Sequence, residues 1–423
     1  MRGFSLRVNR IVLPAAVLLA VIALFLLWRF ERVTEFHHET VWQTPESFYS
    51  GEEEDVLRHR WGMTAAPDGA IYISDAEESK LYVLNPSPDF RETSTQLRHR
   101  EVVLDKEGTA LTYPAVVGDW FCGTGRSSYL LVFAISSLHE EKQEEITPRA
   151  EADLEELVSE ALVNLSDKEA IGDALMVKPS QVRESDLVIH RLESKDNQHF
   201  WMYADLITDS GIYRFVTSIA VEKLIGEDQY HDGIMHWHYL AEKRESLYGW
   251  RSIEIPENDA PVGRISMGAA EIDTEETLSS DGSPAVMDAF VCNKTIALLS
   301  RGEGPLLWNL YWQEGKNYGV VPCQTDSNRF PHVVACSPEG FWLAQRRASA
   351  EEESLQWILY LVDAAGHLRA EIEIPWHKGG HVGPVVSSVD ADLFYVMHSA
   401  GQQGGLAVTA VRRETTWRLR GFE

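Results

Sequence analysis

The sequence predicts an all-β domain built from repeated four-stranded sheets with one helical insertion, carried behind a single N-terminal apolar helix. Two patterns lead there. Residues 11–28 form an uncharged apolar run, and turn-flanked strand patterns recur at both ends of the remaining chain.

The apolar run is IVLPAAVLLAVIALFLLW, Ile11 to Trp28. At 1.5 Å per helical residue it covers about 27 Å, enough to span the hydrocarbon of a bilayer. It is followed by Trp28-Arg29-Phe30-Glu31-Arg32 rather than by a small-x-small cleavage site, so the segment reads as a retained anchor. Arg2, Arg7 and Arg10 precede it and Arg29 and Arg32 follow it, an excess that places the N-terminus in the cytoplasm and the main domain on the far side. Pro14 falls in the first turn, where its missing N–H costs little. The expected organisation is residues 1–10 cytoplasmic, 11–30 transmembrane anchor, 31–55 linker, and 56–423 a β domain with a helical insertion at about 147–176.

Hydrophobic residues make up 44% of the chain, which supports a large packed core. Its 65 acidic against 38 basic residues give a net charge of −27, which disfavours nucleic acid as a partner and equally disfavours adhesion to anionic lipid, so no nucleic acid is expected. The charge is explained by the solubility of a large exposed surface. Cys122, Cys292, Cys323 and Cys336 are too few and scattered for a disulfide framework or a CxxC zinc site. Cys323 and Cys336 sit on segments assigned to different sheets, so a bond between them is not expected.

The repeats come next. Ala66-Pro67-Asp68-Gly69 precedes Ile71-Tyr72-Ile73 and Leu81-Tyr82-Val83-Leu84-Asn85; Ser337-Pro338-Glu339-Gly340 precedes Phe341-Trp342-Leu343 and Leu359-Tyr360-Leu361-Val362-Asp363. Each reads as strand, Pro-acidic-Gly turn, strand, loop, strand, with Gly supplying a positive φ. The second copy is a complete meander: Val333–Cys336, Phe341–Gln345, Gln356–Val362 and His367–Ile374. In the last of these, Leu368, Ala370, Ile372 and Ile374 alternate with His367, Arg369, Glu371 and Glu373, as a half-buried outer strand requires. Similar modules begin near Val291 and near Val385, at spacings of about 43 and about 51 residues, close to a four-stranded propeller blade.

These segments resemble the blades of the β-propeller superfamily, in the loose style of NHL-like or TolB-like repeats. The resemblance implies a ring of about seven four-stranded blades, at about 40–50 residues per blade. The Gly-His and Trp-Asp pairs of WD40 repeats and the tryptophan-docking motif of quinoprotein dehydrogenases do not occur, so neither a subfamily nor a quinone cofactor is implied.

In the middle of the chain, Thr147-Pro148 reads as a helix cap, and Leu154, Leu157, Val158, Ala161, Leu162 and Leu165 follow at helical spacing. Ser166 to Glu169 marks a second short helix through Leu175. Such an insertion as a rule packs on its own domain, but the face made by Leu154, Leu157, Val158 and Leu162 is also the candidate surface for gripping a partner. Strands return at Leu187–Leu192, Phe200–Leu206, Ile212–Val221, Gly233–Leu240 and Trp250–Ile255, enough for two further blades.

Motifs that carry chemistry are sparse. His236 and His238 lie two apart on a strand and so share a face, the minimum for a metal pair, with His231 and Asp232 near in sequence. A third ligand is not placed, and two histidines on a strand face are more often ordinary surface residues, so no metal is expected. His377 and His381 flank a glycine loop without the Glu of HExxH. Asp390-Ala391-Asp392 fits an inter-strand turn better than a nucleotide-sugar site, since its surroundings are nearly all β. Gly123 to Ser128 reads as a hairpin connection, and no GxSxG elbow or P-loop occurs. Most of the 13 tryptophans fall on strands and are expected in the core or between blades. The expectation is a membrane-anchored, extracytoplasmic propeller without cofactor that binds protein partners in or at the membrane as a scaffold or accessory subunit. The alternative is a propeller-type hydrolase acting on exported glycans through carboxylates near the central channel.

Overall fold

The computed structural model describes residues 30–419 apart from 44–60, 86–97, 167–184, 255–286 and shorter stretches elsewhere. The span expected at 11–30 lies outside them save for Phe30, and among the described residues no helix is long and apolar enough to cross a membrane. The described strands form six sheets arranged as the blades of a ring.

Strand β1 (Phe30–Gln43) comes first. Blade I is β2 (Trp61–Ala65), β3 (Ile71–Asp75), β4 (Lys80–Asn85) and β5 (Arg98–Leu104). Blade II opens with β6 (Tyr113–Val117), β7 (Trp120–Thr124) and β8 (Tyr129–Ala134). Helix α1 (Ile135–His139) then leads to β9 (Glu145–Ile146), which lies parallel to β5 on the outer edge of blade I, and β10 (Ala150–Asp153) returns to complete blade II beside β8. After helix α2 (Leu154–Ser166), blade III has five strands: β11 (Ser185–Ser194), β12 (His199–Thr208), β13 (Gly211–Ala220) and, beyond helix α3 (Val221–Ile225), β14 (Met235–Lys243) and β15 (Arg251–Glu254). Blade IV is β16 (Asp288–Cys292), β17 (Thr295–Arg301), β18 (Leu307–Glu314) and β19 (Asn317–Gln324); blade V is β20 (His332–Ser337), β21 (Gly340–Ala348), β22 (Leu355–Val362) and β23 (Leu368–Glu373). Blade VI takes β24 (Val382–Ser387), β25 (Leu393–Ala400) and β26 (Gly405–Leu419), and its fourth strand is β1, antiparallel to β26 from Phe30↔Leu419 to Gln43↔Ala407.

The ring closes along the inner strands, β24 beside β2, β2 beside β6, β6 beside β11, β16 beside β20 and β20 beside β24, and at the seam of blades III and IV the second strand β12 lies beside β16. Successive side chains of a strand point to opposite faces, and in a ring both faces of a blade meet a neighbour. Phe341 and Leu343 of β21 therefore join the core shared with blades III and IV, while Trp342 and Ala344 join the core shared with blade VI. The Trp342 ring meets Phe394 of blade VI edge-on at 4.9 Å and Phe36 of β1 at 6.3 Å. Trp61 and Tyr82 of blade I share a core with Trp42, Tyr395 and Met397 of blade VI. The turn glycines behave as the sequence suggests. Gly69 and Gly340 have φ of 89° and 145°, and a Cβ on Gly340 would run into the carbonyl oxygen of Val362.

Several expectations are corrected. The described strands make six blades, not seven, because those expected between Leu187 and Ile255 form one five-stranded sheet rather than two blades. Residues 30–43 are not linker; β26 needs an outer partner, and β1 supplies it. The helix expected from Thr147 begins at Leu154, because Ala150–Asp153 is taken up as the edge strand of blade II. Its cap is Asp153, whose Oδ1 accepts the Glu155 and Glu156 N–H groups at 3.0 and 3.2 Å. The second helix expected through Leu175 lies outside the described residues apart from Ser166.

Since the seams carry the apolar contacts, Trp342→Ala should lower unfolding stability by about 3–5 kcal/mol, the usual cost of truncating a buried aromatic. Leu368→Ala, on a side chain 53% exposed, should stay within about 0.5 kcal/mol. Urea unfolding of the two variants measures the difference.

Candidate functional site

The two sets of residues singled out from sequence have different fates. Leu154, Leu157, Val158 and Leu162 are buried in the core between blades II and III, together with Leu130, Val132 and Leu192. The helix face proposed for a partner is thus already occupied by the protein's own sheets. His236 and His238 do lie side by side, their rings edge-on at 4.8 Å. His238 is the extra residue of a bulge between β13 and β14, and its Nε2 lies 2.5 Å from the Ser218 hydroxyl. Burial, then the nearby Lys195, His236 and His199, push its pKa down to about 3. No cluster of three metal-ligating side chains occurs among the described residues. His231, Asp232, His377, His381 and Asp390–Asp392 lie outside them.

Instead, the structure brings together charges that the sequence reading left unassigned. They lie on the inner strands of three successive blades: Arg191 and Glu193 on β11, Asp288 on β16 and His332 on β20. Arg191 Nε donates to Glu193 Oε1 at 2.6 Å, while its Nη1 donates to the Val333 carbonyl at 2.6 Å and to Asp288 Oδ2 at 3.3 Å. The same Asp288 oxygen accepts the Val333 N–H at 3.0 Å and lies 3.6 Å from His332 Nδ1. The guanidinium packs over the rings of Phe290 and Trp201 at 4.8 and 5.3 Å. A planar fork with several donors suits this task, since one arginine reaches two carboxylates and a backbone carbonyl at once. A bulge at His190 breaks the β11–β12 register just before Arg191.

Burial and charge act in opposition here. Burial pushes the Asp288 carboxyl up, but Arg191, His332 and the Val333 N–H together hold it below the ordinary carboxylate range. For Glu193 burial prevails over Arg191, and its carboxyl is raised. A second network lies farther along the same face of blade III. Arg214 grips Asp205 through two bonds of 2.7 Å, and His190 Nε2 approaches the same carboxylate at 3.0 Å. Here too burial pushes upward and the partners reverse it, leaving Asp205 below its ordinary value.

This face of blade III runs from core to open surface. Along β12, Trp201, Tyr203, Asp205 and Ile207 are 0%, 3%, 7% and 39% exposed. Val188 pairs with Asp205 and Asp186 with Ile207, so all four share the face. Strands β11 to β13 have ten residues each, against five or six for β2 to β4, and carry this end beyond the buried part of the seam. Val188 and Ile207 stand exposed there, beside exposed Asp186 and Asp209. Sequence held one signal for the ion pair: Asp205 and Arg214 interrupt two apolar strands, symmetrically about the turn that joins them. Nothing in sequence linked Arg191 to Asp288, 97 residues away.

Arg191→Ala should cost about 3–5 kcal/mol in stability, because it strands the buried Asp288 carboxylate without its cation. Asp205 and Asp288 are depressed on folding, so their contribution is full above the unfolded carboxylate pKa of about 3.9 and is lost as pH falls through their lower folded values. Glu193, being raised, works in the opposite sense. Urea midpoints should accordingly decline as pH falls below about 4, and Asp205→Asn should flatten that decline.

No family model matches the chain, and no curated protein does. Solved structures similar to it include the virginiamycin B lyase of Staphylococcus aureus with quinupristin, at 11% identity and TM-score 0.43, covering 89% of this chain and 99% of that one. A chain of the mitotic checkpoint complex is similar at 9% identity and TM-score 0.42, covering 88% and 93%. Hydrazine synthase of Kuenenia stuttgartiensis is similar at 11% and 0.34, covering 80% and 74%. At these values no activity carries over from them. The closed ring of six sheets gives the chain the fold of a β-propeller.

Proposed function

We propose that this β-propeller is a membrane-anchored, extracytoplasmic binding scaffold, an accessory subunit that holds a protein partner beside the bilayer. The observation that carries the reading is the projecting end of blade III, where Val188 and Ile207 are exposed between Asp186 and Asp209. An apolar patch with an acidic border suits a partner that offers apolar side chains among lysines and arginines. The axial charges are arranged for holding rather than for reaction. Glu193 and Asp288 are bound to one guanidinium, and Asp288 also holds a backbone N–H, so the pair binds three blades together instead of facing a substrate. This weighs against the hydrolase alternative.

The membrane part of the reading is supported by the uncharged run from Ile11 to Trp28 and by the arginines before it. The extracytoplasmic part is supported by Cys336, which is engaged in a disulfide, a bond that persists in oxidising compartments. Cys122 and Cys323 are free and buried. The test is affinity capture of the detergent-extracted full chain beside a Val188→Lys, Ile207→Lys double variant. The native chain should retain a stoichiometric partner, and the variant, with an unchanged melting temperature, should lose at least tenfold of it. Equal recovery with both chains, or recovery of the propeller alone, would sink the reading.

A further inference from the structure

The pairing of β1 with β26 continues well past the body of blade VI. Strand β25 pairs with β26 from Ala400↔Gly405 to Leu393↔Arg412, where its register ends. From there β26 runs on to Leu419 with β1 as its strand partner: the pair Phe36↔Arg413 still rests on blade V, where Arg413 bonds Glu339 and both side chains pack on Trp342, and six pairs from Glu35↔Glu414 to Phe30↔Leu419 follow. At about 3.3 Å per residue these six pairs make a two-stranded ribbon roughly 20 Å long. Such a two-stranded extension stands apart among the described residues, since all six sheets otherwise present at least four strands. Two-stranded ribbons are marginal by themselves, so one of this length calls for a surface that supports it.

The ribbon starts at Phe30, and the uncharged run ends at Trp28. Two residues reach at most about 7 Å, so if the run spans the bilayer, the ribbon begins inside the headgroup layer. The charges of the ribbon fit that position. Its six pairs carry Glu31, Glu35 and Glu414 against Arg32 and Arg418, a balance of −1 within a chain of net charge −27. The ribbon is thus a nearly neutral element on an acidic body, and its length exceeds two Debye lengths of about 8 Å at physiological salt.

We infer that the β1–β26 ribbon is the membrane-facing element of the propeller, with the lipid headgroup layer as its partner and the acidic ring held away from that layer. This rests on the anchor reading above, and the experiment separates the two. The full chain is placed in lipid nanodiscs carrying headgroup-level quenchers, with a fluorophore at Thr34→Cys in the ribbon or at Leu368→Cys on blade V. Quenching at position 34 should exceed that at 368 several-fold. Insertion of ten Gly-Ser residues between Trp28 and Phe30 should reduce it to the level of 368 without affecting incorporation. Incorporation with equal quenching at both positions, or quenching that the insertion leaves unchanged, overturns the ribbon proposal alone. Failure of the native chain to incorporate overturns the anchor and the ribbon proposal together.

Discussion

Each blade of this protein is apolar on both faces, and no sheet with two greasy faces is stable alone. That constraint governs the architecture. A strand such as β21 sends Phe341 and Leu343 one way and Trp342 and Ala344 the other, so blade V is complete only between blades IV and VI. Repetition of the constraint around the axis permits no end: a first and a last blade would each leave a face in water. The strand pairing of β1 with β26 removes that end by tying the two extremes of the described chain into one sheet.

The polar groups inside the ring follow from the same geometry. Where inner strands of three blades converge, Arg191 supplies a flat cation that stacks on Phe290 and Trp201 while bonding to blades IV and V. Buried ion pairs contribute little net stability compared with apolar packing, but they are strongly directional. A directional clamp at the axis fixes how three blades sit against one another. The Asp205–Arg214 pair does the same within blade III, keeping β12 and β13 in register at the end that leaves the body of the ring.

Much of the fold is legible in the sequence, and for a physical reason. The meander of blade V is bounded by turn chemistry that is local: a glycine at positive φ and an alternating outer strand. Its four strands match the expected ones to within a few residues. What local pattern cannot show is which strand completes which sheet. Phe30–Gln43 has no turn linking it to β26, so its role depends on a pairing across the whole domain. The five strands of blade III were equally visible one at a time, yet their grouping into one sheet was not. The candidate site suffered in the same way. The apolar spacing of Leu154, Leu157, Val158 and Leu162 was read correctly as a helix face, but periodicity does not say whether a face looks toward its own core or outward. Arg191 and Asp288 meet only because the ring closes.

The order in which the strands are made has a consequence of its own. β1 is synthesised long before β26, and the rest of the propeller separates them, so an early strand must wait for a late one. During that interval both edges of β1 are unpaired, the condition under which strands add to foreign chains. Closure through so distant a pairing is slow by the general dependence of folding rate on sequence separation. A nascent propeller of this kind therefore passes through an open crescent, and any chaperone it meets in that state has one obvious substrate: the bare strand β1.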